Sequence, residues 1–424
     1  MTRSRFRAQA PECRRAFLLN VTNGGLYIFA ETLIDPNLVL VLFASQLTDS
    51  NLLLGAISAI SSGGWFLPQL FVSGWVQTQP RKILVYRKAA IARMITWLAL
   101  VVVLWFVREP FFLLAFFYLS YAAMQVMSGL GGIPFMDIVA KTIPQTWCAR
   151  LFGWRLLIAG VLSVLGSRIV TWVLTSSLPY PRNYALLIFL ASLLGGVAML
   201  AFSLTREPPG PTREAASVLS QVRRGFQALR DDANYCNLLW GRSLLFLGLI
   251  SIPFYTLLAR RVLGAPDAVA GNYLAVTTAT TLLVNLPLGW LVDRKGKRWG
   301  LRTAALGWAG TALLGLLIAW AAQAGLLQGL SFPAYFLAYP LFALRGLFAP
   351  LDNLAGHTLL LHVAPENDRA LYLGFTNTWL GVVLLLSGLG GGLVDLLGFE
   401  ALFGTIVGVN LLAFYFFGRI TERS

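Results

Sequence analysis

Charge is scarce in this chain. Only 12% of its 424 residues are Asp, Glu, Lys or Arg, against 57% hydrophobic, and mean hydropathy is +0.70. A soluble chain carries about twice that charged share. Cysteine and histidine are scarcer still, three and two. Cys13, Cys148 and Cys236 lack metal-ligand or redox spacing, and no acidic cluster accompanies His357 and His362, so reduced thiols and no metal site are expected. No hydrolase elbow, nucleotide-binding loop or deaminase signature occurs. The glycine-rich stretches "GLGGIPFMD" and "GLGGGLVD" lie in apolar runs rather than after strands, where glycine serves close helix packing. No enzymatic activity and no cofactor are expected.

What remains is a succession of apolar runs near the ~20 residues that a helix needs to cross a bilayer. They fall at 17–46, 52–76, 89–107, 111–140, 151–176 and 183–204, then at 236–260, 268–292, 300–323, 333–362, 368–397 and 400–418. The expected fold is an all-α polytopic membrane protein with twelve transmembrane helices in two six-helix pseudo-symmetric halves and both termini cytoplasmic. Residues 1–16 form a basic cytoplasmic N-terminus, 17–204 the first bundle, 205–235 a cytoplasmic linker, 236–419 the second bundle and 420–424 a tail. In the linker Val218, Leu219, Val222, Phe226 and Leu229 recur at helical spacing opposite Arg223, Arg224 and Arg230, the pattern of an amphipathic helix on the membrane surface that ties the halves together.

The net charge of +15 follows from topology rather than from a nucleic-acid partner. Of the 33 Lys and Arg, only Arg108, Arg182, Arg260 and Arg261 fall on segments read as outside. Arg93, Arg168, Arg242 and Arg345 fall within spans, and the remainder lie on segments read as cytoplasmic, as the positive-inside rule requires. The basic start resembles a signal peptide only superficially, because a signal core would not carry Glu31 and Asp35.

The two halves echo each other. "GWVQTQPRK" (Gly74 to Lys82) follows the second span and "GWLVDRKGKR" (Gly289 to Arg298) the eighth; Pro144 precedes Gly153 by the interval at which Pro365 precedes Gly374. The second of these stretches resembles the signature of the major facilitator superfamily, Gly-x-x-x-Asp-(Arg/Lys)-x-Gly-(Arg/Lys)-(Arg/Lys), with Gly289, Asp293, Arg294, Gly296, Lys297 and Arg298 at every fixed position. The first-half copy keeps Gly74, Arg81 and Lys82 but has Thr78 at the Asp position, and the fifth span lacks the Gly-Pro pair of the family's antiporters. The resemblance spans essentially the whole chain through its six-plus-six layout, without indicating a subfamily. It implies a secondary transporter, with the Asp293 loop as a cytoplasmic gate that faces the start of the fifth span, Arg150 to Arg155, when closed.

Polar residues inside the spans mark candidate sites. Asn20, Asn23, Tyr27, Glu31 and Asp35 share one face of the first span, and Pro36 cannot donate to the Thr32 carbonyl. Glu31 and Asp35 form either a protonation or cation site or a buried ion pair that fixes packing. In the tenth span Tyr339, Arg345 and Asp352 fall broadly on one face; Arg345 would pair with Glu31, Asp35 or Asp352, or bind an anionic substrate. Trp65, Tyr121, Gln125 and Asn377 complete the expected cavity lining, although aromatic and small polar residues serve helix packing equally.

The expected function is secondary active transport of a small organic solute by alternating access, proton-coupled through Glu31 and Asp35. Sodium, with oxygen ligands from Thr32 and neighbouring amides, is the other coupling ion, and a facilitator with no coupling is a further reading. A lipid or drug exporter of the same fold, or a non-transporting assembly factor or sensor on this scaffold, are the alternatives. The expected partners are the solute and membrane lipids, with the protein a monomer in the plasma or inner cell membrane.

Overall fold

The computed structural model describes residues 3–210, 218–365 and 368–421, and every regular element among them is helical. In chain order the α-helices are α1 (Arg3–Leu33), α2 (Val39–Ala44), α3 (Asn51–Gln77), α4 (Ile83–Phe106), α5 (Pro110–Thr142), α6 (Gln145–Leu174), α7 (Arg182–Ser203), α8 (Val218–Asp231), α9 (Ala233–Gly248), α10 (Ser251–Leu257), α11 (Ala270–Lys295), α12 (Lys297–Gln323), α13 (Tyr339–Leu351), α14 (His357–Val363), α15 (Arg369–Leu386) and α16 (Gly390–Gly418). Among the described residues nine helical stretches are long and apolar enough to cross a membrane, from Ile83–Phe106 to Gly390–Gly418. An unbroken helix is what lipid selects, since each backbone N–H and C=O is then satisfied within its own segment.

Local sequence sets the helix ends. The Glu109 carboxylate accepts from the N–H groups of Phe111 and Phe112, with Pro110 at the first helical position, and so starts α5. Asp232 does the same for α9 through Tyr235 N at 3.0 Å. Gly296, at φ +92°, makes the turn between α11 and α12, a conformation that only glycine adopts cheaply. The expected single span at 17–46 is instead interrupted: α1 ends at Leu33, and α2 resumes only at Val39 because Pro36 cannot continue the hydrogen-bond ladder. The helix also begins at Arg3, well before position 17. The tenth span is likewise divided, with a π-helical turn at Asp352–Gly356 between α13 and α14.

Contacts divide the chain into two compact units. One holds Met1–Asp35 with Leu67–Ala216, and the other Pro36–Phe66 with Ser217–Ser424. The chain changes unit beside Pro36 and again beside Pro68, which lies inside α3. In the first unit α1 packs on α6 and α7, and α4 on α5 and α7. Its buried core includes Tyr86, Ile138, Leu151 and Phe202, with Phe202 between Tyr86 and Phe135 at centroid distances of 4.6 and 4.8 Å. One edge is fastened by ions: Asp137 binds Lys82 at 2.8 Å and Lys141 at 2.7 Å, and Lys141 also binds Glu207 at 2.8 Å. The fully buried Glu207 carboxylate accepts from Ile83 N as well, at the start of α4.

In the second unit α12 packs on α13 and α16, α9 on α15 and α16, and α11 on α13. Every residue of α2 is buried, and α2 packs on α10. The linker helix α8 lies against α15. It is docked within the second unit, Phe226 edge-on to Phe375 at 5.2 Å and Trp379 at 6.0 Å, and Arg224 paired with Asp368 at 2.8 Å. Aromatic rings of α15 thus receive Phe226.

Candidate functional site

In the first unit the polar face of α1 is shared among three helices. Glu31 forms an ion pair with Arg93 of α4, whose other terminal nitrogen donates to the Tyr27 hydroxyl. Ser128 of α5 lies 3.1 Å from that hydroxyl and accepts from Arg93 Nη1 at 3.4 Å. The guanidinium also lies over the Tyr27 ring, 4.8 Å from its centroid. Arg93 is nearly inaccessible, its side chain 6% exposed, whereas the Glu31 side chain is 33% exposed. The carboxylate is therefore the member that water or a proton can reach. Tyr27, Glu31, Arg93, Met94, Trp97 and Ser192 border a small cavity of about 10 Å³, close to the space of one water. Arg93 Nε is buried without a hydrogen-bond partner among the described residues.

The rest of that face serves packing. Asn20 and Asn23 are buried; Asn20 Nδ2 donates to Ala16 O and Asn23 Nδ2 to Ala198 O, both at 2.9 Å. Asp35 lies in the break beyond α1, half-buried and one turn past Glu31. Thr32 turns away from Glu31: its buried hydroxyl lies 2.9 Å from Ile28 O and 2.7 Å from Ser163 Oγ of α6. Tyr121 is buried on Phe117, with parallel rings 5.7 Å apart, and accepts from Gln125 Nε2 at 3.1 Å. Both therefore sit in the interior of this unit.

The second unit contains another buried ion pair. Arg242 of α9 grips Asp352 with two bonds, Nε to Oδ1 at 3.0 Å and Nη2 to Oδ2 at 2.8 Å, and its side chain is 1% exposed. A β-carbon at Gly356 would fall against both partners, so the π-helical turn and its glycine make room for the pair. Asp352 is thus held by Arg242, not by Arg345, which lies half-buried two turns earlier on α13. Tyr339 meets Tyr273 edge-on at 4.9 Å, and Trp65 meets Phe66 at 4.7 Å. Asn377 lies on α15, its Oδ1 buried without a hydrogen-bond partner among the described residues.

The glycine-basic motif divides its labour. Gly289 lies within α11 and Gly296 makes the turn. Arg294 stacks over Trp290 at 4.0 Å, and Lys297 Nζ lies 2.9 Å from His362 Nε2. Arg298 donates to the carbonyls of Phe417 and Gly418, capping the end of α16. Asp293 is exposed and forms no ion pair among the described residues. With Asp231, Asp232, Lys297 and His362 it borders a groove of about 1020 Å³. The expected partner segment, Arg150 to Arg155, does not start a helix: α6 begins at Gln145, because Pro144 sets the boundary, so those residues lie inside it.

Residues 36–66 are clasped to the second unit at several points. Thr256 Oγ1 donates to Asn37 O at 2.7 Å, and Arg260 donates to Leu42 O at 3.2 Å and to Ser45 Oγ. Asp267 accepts from Gln46 at 2.6 Å. Asp395 of α16 accepts from Asn51 N at 3.1 Å, Asn51 Nδ2 at 2.8 Å and Leu52 N at 3.1 Å, capping α3 from a distant part of the sequence.

Arg93 and Arg242 stand out in the sequence as in-span arginines, with nothing there to name their partners. Arginine inside an apolar run was the available signal; which carboxylate each would meet depends on helix neighbours that periodicity does not reveal.

Comparison with known proteins agrees with this architecture. Residues 243–424 match the family described as Major Facilitator Superfamily. No curated protein matches the chain. Among solved structures it is similar to a mutant of the nucleoside transporter NupG, with a TM-score of 0.72 and 11% identity over 97% of this chain and 100% of that one. It is also similar to an auto-inhibited POT family peptide transporter, at 0.73 and 13% over 97% and 98%. A bacterial homologue of the human lysosomal transporter Spinster, inward-facing and unoccupied, gives 0.62 and 14% over 96% of each chain. At such identities the likeness is one of fold. The sequence pattern of that family covers residues 243–424, and along its length the fold of this chain is similar to those of these transporters.

Proposed function

We propose that this protein is a secondary transporter of a small organic solute, coupled to protons at Glu31 and working by alternating access in the cell membrane. The supporting observation is the pairing of Glu31 with Arg93, Tyr27 and Ser128: a carboxylate open on one side, bonded to a cation enclosed by the bundle. A proton arriving at Glu31 neutralises the carboxylate that is paired with Arg93. The guanidinium then keeps Tyr27 and Ser128 and needs a new partner, which a solute or a rearranged helix supplies. Charge movement and conformation are linked in this way, because a buried charge is costly without its counterion. The side chain of Thr32, occupied by Ile28 and Ser163, favours proton over sodium coupling.

Twelve spans, cytoplasmic termini and a monomer in contact with membrane lipids complete the proposal. The clasp on residues 36–66 would be the contact released in one half of the cycle, the prolines at both unit crossings absorbing the bend.

In proteoliposomes, Glu31→Gln should abolish solute accumulation driven by a pH gradient while sparing counterflow, since glutamine imitates the protonated acid. Wild-type accumulation in both Glu31→Gln and Asp35→Asn would rule out coupling here. The Asp293 loop gives a separate result. Asp293→Asn should increase labelling of cavity cysteines from the cytoplasmic side and slow exchange without lowering the melting temperature, because Asp293 is exposed. Thr78→Ala, whose hydroxyl merely caps Trp75 O at 2.8 Å, should change neither. Unaltered labelling in Asp293→Asn would remove the gate.

A further inference from the structure

The first unit holds an arginine inside α6 that the sequence reading counted with the cytoplasmic segments, and the transport reading above assigns it nothing. Arg155 lies ten residues into α6, about 15 Å along the helix at ~1.5 Å per residue, inside the apolar stretch Thr146–Leu174. It packs on α1 at Gly24, where a β-carbon would strike the guanidinium. Its Nη1 donates to Asn20 O at 2.7 Å and Asn23 Oδ1 at 3.2 Å, and the Phe135 ring lies under it at 4.8 Å. All of these partners are neutral. Among the described residues no carboxylate lies within ion-pair distance of Arg155. Glu31 belongs to Arg93, and the ions at the unit's edge close on themselves as two lysines, Asp137 and Glu207. Asp35 is eleven residues beyond Gly24, about 16 Å away along the helix direction.

The interior of this unit therefore holds two arginines on the α1 side against one paired carboxylate. A permanently charged guanidinium inside a bilayer is costly, and neutral carbonyls and a ring face offset only part of that cost. Its Nε and Nη2 make no hydrogen bond among the described residues, which leaves a planar donor pair suited to an oxyanion. Arg155 is half-buried, so the donors are not sealed in the core.

We infer that Arg155, held by Asn20 and Asn23 on α1, is the anion-binding residue of the solute site, and that the transported solute carries a carboxylate or phosphate group. This rests on the transport reading, but its test does not require flux. In a neutral detergent, phosphate, succinate and benzoate should raise the melting temperature relative to chloride at equal ionic strength. Their neutral counterparts succinamide and benzamide should not. Arg155→Gln should weaken the anion effect by about tenfold or more, the value of a charge-assisted hydrogen bond, and Arg155→Lys should restore only part of it. Gly24→Ala, which displaces the guanidinium and keeps the charge, should weaken it as well.

Arg155→Gln should also melt no lower than wild type without added anion, since it strands no carboxylate, so a folding defect is distinguishable from lost binding. Equal stabilisation by the neutral amides, an anion effect unchanged in Arg155→Gln, or no anion effect at all would overturn the inference. Stabilisation by added phosphatidylglycerol but by none of the soluble anions would identify a lipid headgroup as the ligand and overturn it for the solute. Anion binding with no flux of any solute would instead count against transport.

Discussion

Arg93→Gln is expected to abolish pH-driven accumulation and to cost about 3 kcal/mol of stability, the lower end for removing one member of a buried ion pair. The lower end applies because Glu31 is 33% exposed and regains some hydration, while Arg93 at 6% would have none to lose. The double variant Glu31→Gln with Arg93→Gln should recover much of the stability, since no charge is then stranded, yet remain inactive in pH-driven uptake. Melting of the four proteins in detergent gives the coupling energy as a double-mutant cycle. An additive pair, with no coupling beyond about 0.5 kcal/mol, would show that the ion pair contributes nothing. A coupled pair with normal uptake in both single variants would make it a packing device.

Asp352→Asn is expected to have an effect of similar or greater size on stability, about 3–5 kcal/mol, because it leaves the Arg242 guanidinium, 1% exposed, with no counterion. Gly356→Ala should destabilise by a different route. Its new methyl would sit 2.6 Å from Asp352 Oδ1 and 3.0 Å from Arg242 Nε, so one of the two bonds must lengthen or the π-helical turn must shift. A control at Gly374, where a β-carbon meets nothing within 4 Å, should be close to neutral. If Asp352→Asn and Gly356→Ala both melt with wild type, the second ion pair is not what holds α9 against the tenth-span helices.

Much of the architecture was legible in the residues. Apolar runs of bilayer length, basic residues concentrated on one set of segments and the Gly289–Arg298 motif pointed to a helical membrane protein, and the all-helical structure and the family match over residues 243–424 agree. Boundaries failed where proline intervened. The first span looks continuous in hydropathy, yet Pro36 splits it and its second part packs with the other unit. Hydropathy cannot detect such a split, since a broken helix is as apolar as an intact one.

The sequence by itself determined which charges interrupt the apolar runs, Glu31, Asp35, Arg93, Arg168, Arg242, Arg345 and Asp352, whereas Arg155, counted there with the cytoplasmic segments, is placed inside α6 by the structure. It determined shared faces along one helix as well, because a helix turns by a fixed amount per residue. Only the tertiary structure decided the pairing. Glu31 meets Arg93 across 62 positions and Asp352 meets Arg242 across 110, whereas Arg155 meets a backbone carbonyl, an amide side chain and the Phe135 ring. Helical period fixes direction about one axis; the neighbour in that direction depends on how several helices pack around it. That packing is set by the fit of many small contacts, Gly24 under Arg155 and Gly356 under the Arg242–Asp352 pair among them, and no single stretch of sequence contains both sides of such a fit.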